Sequence, residues 1–131
     1  MIRIRRTIRK YKEKDVSINL IFEILDCGRW APSFKNAQSW EFIVIKSEEK
    51  KEKISKAANQ EWIKEAPVVI VVCSNLDRAR FFMGEKAEIL APLECVCAVE
   101  NMLLAARDLG LGSAFVGDFD KEKVKEIVKV P

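Results

Sequence analysis

The stretch Ala31-Pro32-Ser33-Phe34-Lys35-Asn36-Ala37-Gln38-Ser39-Trp40 gathers a Pro-Ser turn, two side-chain amides and an aromatic wall in one place. Such a loop can hold a flat, polar, partly aromatic ligand, or it can be an ordinary connector. A second cluster lies at the start of the chain. Arg3, Arg5, Arg6, Arg9, Lys10 and Lys12 fall within residues 1–12, with no acid among them. The chain carries 23 basic and 20 acidic residues; without those six, 17 basic residues face 20 acids, so a body of net −3 bears a basic arm. Nucleic acid would call for basic residues spread along a groove and interleaved with aromatics, which is not this pattern. One phosphate group suits it better, gripped by arginine forks and the Thr7 hydroxyl. A solvated basic tail is the plainer alternative.

The remaining reactive residues point away from metal and thiol chemistry. There is no histidine, and Cys95 and Cys97 stand two apart in a helical stretch, where side chains do not face each other. Cys27 and Cys73 are distant in sequence, so no zinc spacing exists, and the four cysteines are expected as small buried hydrophobes. No acid–base pair stands out as catalytic, so no catalytic side chain and no metal ligand is assigned.

These residues need a scaffold, and 131 residues with 49% hydrophobic and 33% charged side chains supply a single domain spanning 1–131. The longest apolar run is Ala66 to Cys73, so neither a membrane span nor a secretory leader is expected, and the cytoplasm is the expected compartment. Ser17 predicts a helix from Ile18 to Cys27, closed by Gly28, with Ile18, Ile21, Phe22 and Leu25 on one face. A strand from Glu41 to Lys46 follows, then a helix from Glu48 to Ala58 capped by Ser47. After Pro67, the run Val68 to Val72 is too β-branched for a helix and too apolar for an edge, which predicts a central, doubly covered strand. Phe81, Phe82 and Met83 form either core or pocket wall. Leu93 to Leu109 predicts a long helix apolar almost all round, capped by Gly110 and suited to a domain centre or subunit interface. Ser113 to Val116 predicts a short strand leading into Gly117, whose missing side chain would admit a ligand. Asp120 predicts a last helix over Lys121 to Lys129. Alternating helices and strands imply an α/β (α+β) layered sandwich with a mixed sheet.

The order of these pieces resembles the FMN-dependent nitroreductase family. The matching motifs are Arg5-Arg6-Thr7-Ile8-Arg9-Lys10-Tyr11, Ala31 to Trp40 leading into Phe42-Ile43-Val44, and Glu65-Ala66-Pro67. They continue with Glu100-Asn101-Met102-Leu103-Leu104-Ala105-Ala106, Leu109 to Ser113, and Val116-Gly117. The resemblance covers almost the whole chain and implies a three-layer sandwich whose mainly antiparallel sheet is flanked by helices. It implies that Arg5, Arg6, Thr7 and Arg9 grip the FMN phosphate and ribityl chain. Pro32, Ser33, Phe34 and Asn36 would lie against the flavin of a partner subunit. Ala114, Val116 and Gly117 would run along the ring, and Gln60 would reach its pyrimidine side. The implied protein is a homodimer with FMN at its interface. It would pass electrons from NAD(P)H to a nitroaromatic, quinone or similar acceptor by a ping-pong route. A non-catalytic FMN carrier or degenerate subunit is the alternative.

Three departures from the family pattern carry expectations of their own. Ser39 stands where the family usually has proline, which predicts a looser turn. Phe34 replaces a commonly small residue and would narrow the pocket or stack near the flavin. The chain ends at Pro131, where relatives continue through another strand and a tail, so a C-terminally short member or a piece of a longer one is expected.

Overall fold

The computed structural model describes residues 1–131. Short polar side chains begin four of its helices. Ser17 Oγ accepts from Leu20 N–H at the start of α1 (Ile18–Arg29), and Ser47 Oγ from Lys50 N–H at the start of α2 (Glu48–Ala58). Asn75 does the same for α3 (Leu76–Met83) and Asp120 for α5 (Lys121–Val128). Each satisfies a backbone donor that the first helical turn leaves unpaired. The long helix α4 (Ala87–Asp108) has no side-chain cap and instead continues from a 3₁₀ turn at Gly84–Lys86. It begins six residues before the expected Leu93 and runs through Pro92, which removes one backbone bond from the helix. Burial explains this: Ala87 and Ala91 are fully enclosed against Ala37, Ala79 and Met83, so packing outweighs the proline.

Two strands, β1 (Trp40–Ile45) and β2 (Val69–Ser74), pair antiparallel with Phe42 opposite Val72 and Ile43 opposite Val71. Because side chains alternate along a strand, the sheet has two distinct faces. On one, Trp40, Phe42, Ile70 and Val72 meet Ile24 of α1 and Cys95, Ala98, Met102 and Ala106 of α4. On the other, Ile43, Ile45, Val69 and Val71 meet Ile54 and Ala58 of α2, Ile63, and Ile127 and Val128 of α5. Helices therefore cover both faces, and the expected three-layer sandwich is present. β2 is covered on both faces as expected, yet it is not central: the sheet has only the two strands, and β2 is half-buried along its length. Gly28 lets α1 close onto α4, since a Cβ there would lie 2.8 Å from Met102 Cγ and 3.2 Å from Phe42 Cζ.

The expected strand at 113–116 does not form. Only Ser113 pairs, in a single parallel bridge with Thr7, because the arm is the sole backbone that meets it. The helical run Leu76–Asp108 is long and apolar enough by length and composition to cross a membrane, a test that the core helix of a soluble protein also passes. Within this fold α4 packs on α1 and the sheet and carries the fully buried Glu94.

Candidate functional site

The N-terminal arm is docked rather than loose. Thr7 bridges Ser113, Ile8 N–H donates to Ser113 O at 2.9 Å, and Tyr11 OH donates to Ile8 O at 2.7 Å. Gly112 makes the docking possible: a Cβ there would stand 3.0 Å from Ile8 Cβ, Cγ1 and Cγ2. Next to this contact is a cavity of about 170 Å³ lined by Arg5, Arg6, Arg107, Gly112 and Ser113, with Ile4, Ile8 and Leu111 as its apolar wall. Three arginines line so small a space, and like charges gathered this closely favour an anion between them. The nearest counter-charge is weak, with Arg5 Nε 4.0 Å from Glu100 Oε1. Arg6 Nη1 donates to the Arg3 and Arg5 carbonyls, which folds the arm back on itself.

Arg9 goes elsewhere. Its guanidinium lies over the Trp62 ring, 5.7 Å from the centroid, and Tyr11 packs against the same ring at 6.4 Å. Burial raises the Tyr11 phenol above its ordinary range, with Arg9 opposing. Trp62 Nε1 in turn donates to Gln60 Oε1 at 3.1 Å. Arg9, Tyr11, Trp62 and Gln60 thus form one group, apart from the arginine-lined cavity.

The loop between α1 and β1 is held from below. Glu94, 1% exposed, accepts from Phe34 N–H at 3.0 Å, from Ser39 N–H at 2.8 Å and from Ser39 Oγ at 2.5 Å. Ala31, Ala37 and Ser39 are buried, whereas Pro32, Phe34, Lys35, Asn36 and Gln38 face outward. Lys35, Asn36 and Gln38 have left-handed backbones, with φ of 51°, 55° and 47°.

The model of the nitroreductase family matches residues 2–65 and 56–131. The chain belongs to the nitroreductase family. A relative from Methanothermobacter thermautotrophicus, whose assigned name joins NADH dehydrogenase and NAD(P)H nitroreductase, is 37% identical over 124 residues. That match covers 92% of this chain but 61% of the relative, so the chain spans about three fifths of that protein's length. The FMN reductase [NAD(P)H] of Bacillus subtilis is 30% identical over 141 residues, covering 96% of this chain and 57% of the reductase. Among solved structures, an FMN-dependent nitroreductase from Clostridium difficile superposes with a TM-score of 0.84 at 28% identity, covering all of this chain and 79% of that one.

For this nitroreductase-family chain, the structure divides the expected site residues into four groups. Arg5 and Arg6 share the cavity, with Thr7 beside it in the bridge to Ser113. Arg9 and Gln60 meet through Trp62, outside the cavity that Arg5 and Arg6 line. Pro32, Ser33, Phe34 and Asn36 lie on the loop above Glu94. Positions 94 and 107 are 13 residues apart on α4, or ~20 Å along its axis, so loop and cavity are anchored at separate levels of one helix. Val116 packs into the core face with Ile43 and Val71, Ala114 is half-buried, and Gly117 is exposed. A Cβ at Gly117 would meet only the Phe115 ring at 3.6 Å, an ordinary contact, so nothing within the chain demands glycine there.

Several features contradict or escape the sequence reading. Ser39 does not loosen its turn; it is fully buried and supplies two of the three bonds to Glu94. Glu94 and Arg107 interrupt the apolar helix in the sequence, but nothing local in the sequence assigns either a role. Cys95 is buried, Cys27 and Cys73 are half-buried, but Cys97 is exposed, against the expectation of four buried thiols. Burial pushes the Cys95 and Cys73 thiols up, so both stay protonated at neutral pH.

Proposed function

We propose that this chain forms an FMN-dependent oxidoreductase that passes electrons from NAD(P)H to a nitroaromatic, quinone or similar acceptor. The observation that carries the reading is the cavity bounded by Arg5, Arg6 and Arg107 beside the docked arm. Its size admits a phosphate group and not a three-ring flavin, and guanidinium forks match phosphate oxygens in pairs. The names of the relatives support the same cofactor and the same electron donor.

When bound, FMN would supply the redox chemistry that links NAD(P)H to the acceptor in a ping-pong cycle. The chain's own residues bind and orient. Arg5, Arg6 and Arg107 would hold the phosphate, with the Thr7 hydroxyl beside it, while Arg9 and Gln60 would serve the Trp62 side. Backbone at Ala114, Val116 and Gly117 would serve the ring.

The loop bearing Pro32, Ser33, Phe34 and Asn36 closes over the flavin of a second copy. Two features favour this homodimer: the separation of loop and cavity along α4, and the exposed stripe Ile89, Leu93 and Val96 on that helix. Those positions recur three and four apart, which is the pattern of a helix face with a partner. Four free thiols suit a reducing compartment such as the cytoplasm.

Titration of the purified chain with FMN tests the reading, followed by addition of NADH or NADPH under anaerobic conditions. Bound flavin that bleaches on reduction and recovers with a quinone supports it. Bound flavin that neither donor reduces makes the chain a carrier, and no binding at excess FMN refutes the reading.

A further inference from the structure

A carboxylate enclosed by protein is tolerated only when its oxygens are hydrogen-bonded, and the bonds it accepts show what it organises. Every hydrogen bond that Glu94 accepts comes from one turn. Oε2 takes the Phe34 N–H and Oε1 takes the Ser39 N–H and hydroxyl, so a single side chain ties both ends of the turn to α4.

Between those ends the backbone is in a conformation that L-residues avoid. Lys35, Asn36 and Gln38, none of them glycine, have positive φ, and such geometry persists only when surrounding contacts enforce it. Other contacts act on parts of the turn. Gln38 N–H donates to Ser33 Oγ at 3.1 Å, Arg78 Nη1 to Gln38 O at 2.9 Å, and Asn75 N–H to Ser39 O at 2.7 Å. Of these clamps, only Glu94 ties both Phe34 and Ser39 to the core. The outcome is directional: Ala37 is driven down among Ala79, Met83, Ala87 and Ala91, while Phe34 and Asn36 are turned out.

We propose that Glu94 is the positioning residue of the 34–39 turn, holding Phe34 and Asn36 in the outward arrangement in which they meet FMN. The inference rests on the proposed function for its ligand and on this chain's geometry for its mechanism. A side-chain amide cannot replace the carboxylate, because its NH₂ group would face either the Phe34 or the Ser39 N–H, donor against donor.

The test is Glu94→Gln, read by amide hydrogen exchange and by FMN titration of the same protein. Exchange across Phe34–Ser39 is expected to rise about tenfold or more while β1 and β2 stay protected, and FMN affinity is expected to fall about tenfold. Glu94→Asp, which keeps the charge on a shorter arm, should fall between the two. If Glu94→Gln does not fold, Ser39→Ala removes one donor and should loosen the turn in the same direction, by less. Unchanged exchange across 34–39 in the folded variants overturns the proposal. A loosened turn with unchanged FMN affinity overturns the contact between turn and flavin. If the unmutated chain binds no FMN, the proposed function fails, and exchange alone still decides whether Glu94 holds the turn.

Discussion

Replacing Gly112 by alanine probes whether the docked arm builds the anion cavity. The new Cβ would stand 3.0 Å from each of Ile8 Cβ, Cγ1 and Cγ2, against an ordinary carbon contact of about 3.5–4.0 Å. A β-branched side chain cannot swing aside by changing rotamer without a penalty, and Ile8 is tied through its N–H to Ser113 O at 2.9 Å. The arm must therefore give way by a few tenths of an ångström. Overpacking of this kind costs about 1–3 kcal/mol, offset by about 0.4–1 kcal/mol from the stiffer unfolded chain. A net loss near 1 kcal/mol rivals the worth of the single bridging hydrogen bond, so the arm spends much of its time undocked. Because Arg5 and Arg6 travel with it, FMN affinity should fall about fivefold. Flavin fluorescence measures the affinity, and limited trypsin digestion at Arg3 to Lys12 reports the arm. Affinity within twofold of the parent, with unchanged cleavage, refutes the reasoning.

Gly117→Ala is the complementary case: the chain has room for the methyl group, so thermal stability should hold while FMN affinity drops, and unchanged affinity removes Gly117 from the flavin site. Leu93→Lys places a charge in the exposed stripe of α4 and should shift the protein from two chains to one on size-exclusion with light scattering. The same variant should speed labelling of the exposed Cys97 by a thiol reagent; a parent that is already monomeric refutes the dimer. Asp120 caps α5, and the Lys123 backbone N–H and ammonium hold its carboxyl below the usual range. A depressed carboxyl stabilises the fold above its unfolded pKa and loses that contribution as pH falls through the folded one. Asp120→Ala should therefore melt lower than the parent at neutral pH, with the gap closing below about pH 4. A gap that ignores pH contradicts the capping role.

Local features were legible in the sequence and non-local ones were not. Ser17, Ser47 and Asp120 announce helices because a cap acts on the N–H three residues away, and the structure shows those bonds. The basic arm and the 31–40 loop stand out by residue type alone. What they touch does not, since Glu94 lies 55 to 60 residues from its donors and Arg107 meets Arg5 and Arg6 only after the arm has folded onto Gly112. The expected helix starts at Leu93, but the enclosed alanines at 87 and 91 extend it back through Pro92. The strand expected at 113–116 failed because pattern cannot tell a strand from an apolar segment that lacks a partner.

The central claim is that this chain builds an FMN site, and equilibrium titration of the purified chain with FMN tests it most directly. The account predicts saturable quenching of flavin fluorescence at one FMN per chain, weakened by added salt because arginines hold the phosphate. Riboflavin, which lacks the phosphate, should bind far more weakly. An unchanged flavin spectrum at excess FMN, or equal affinity for riboflavin, contradicts it.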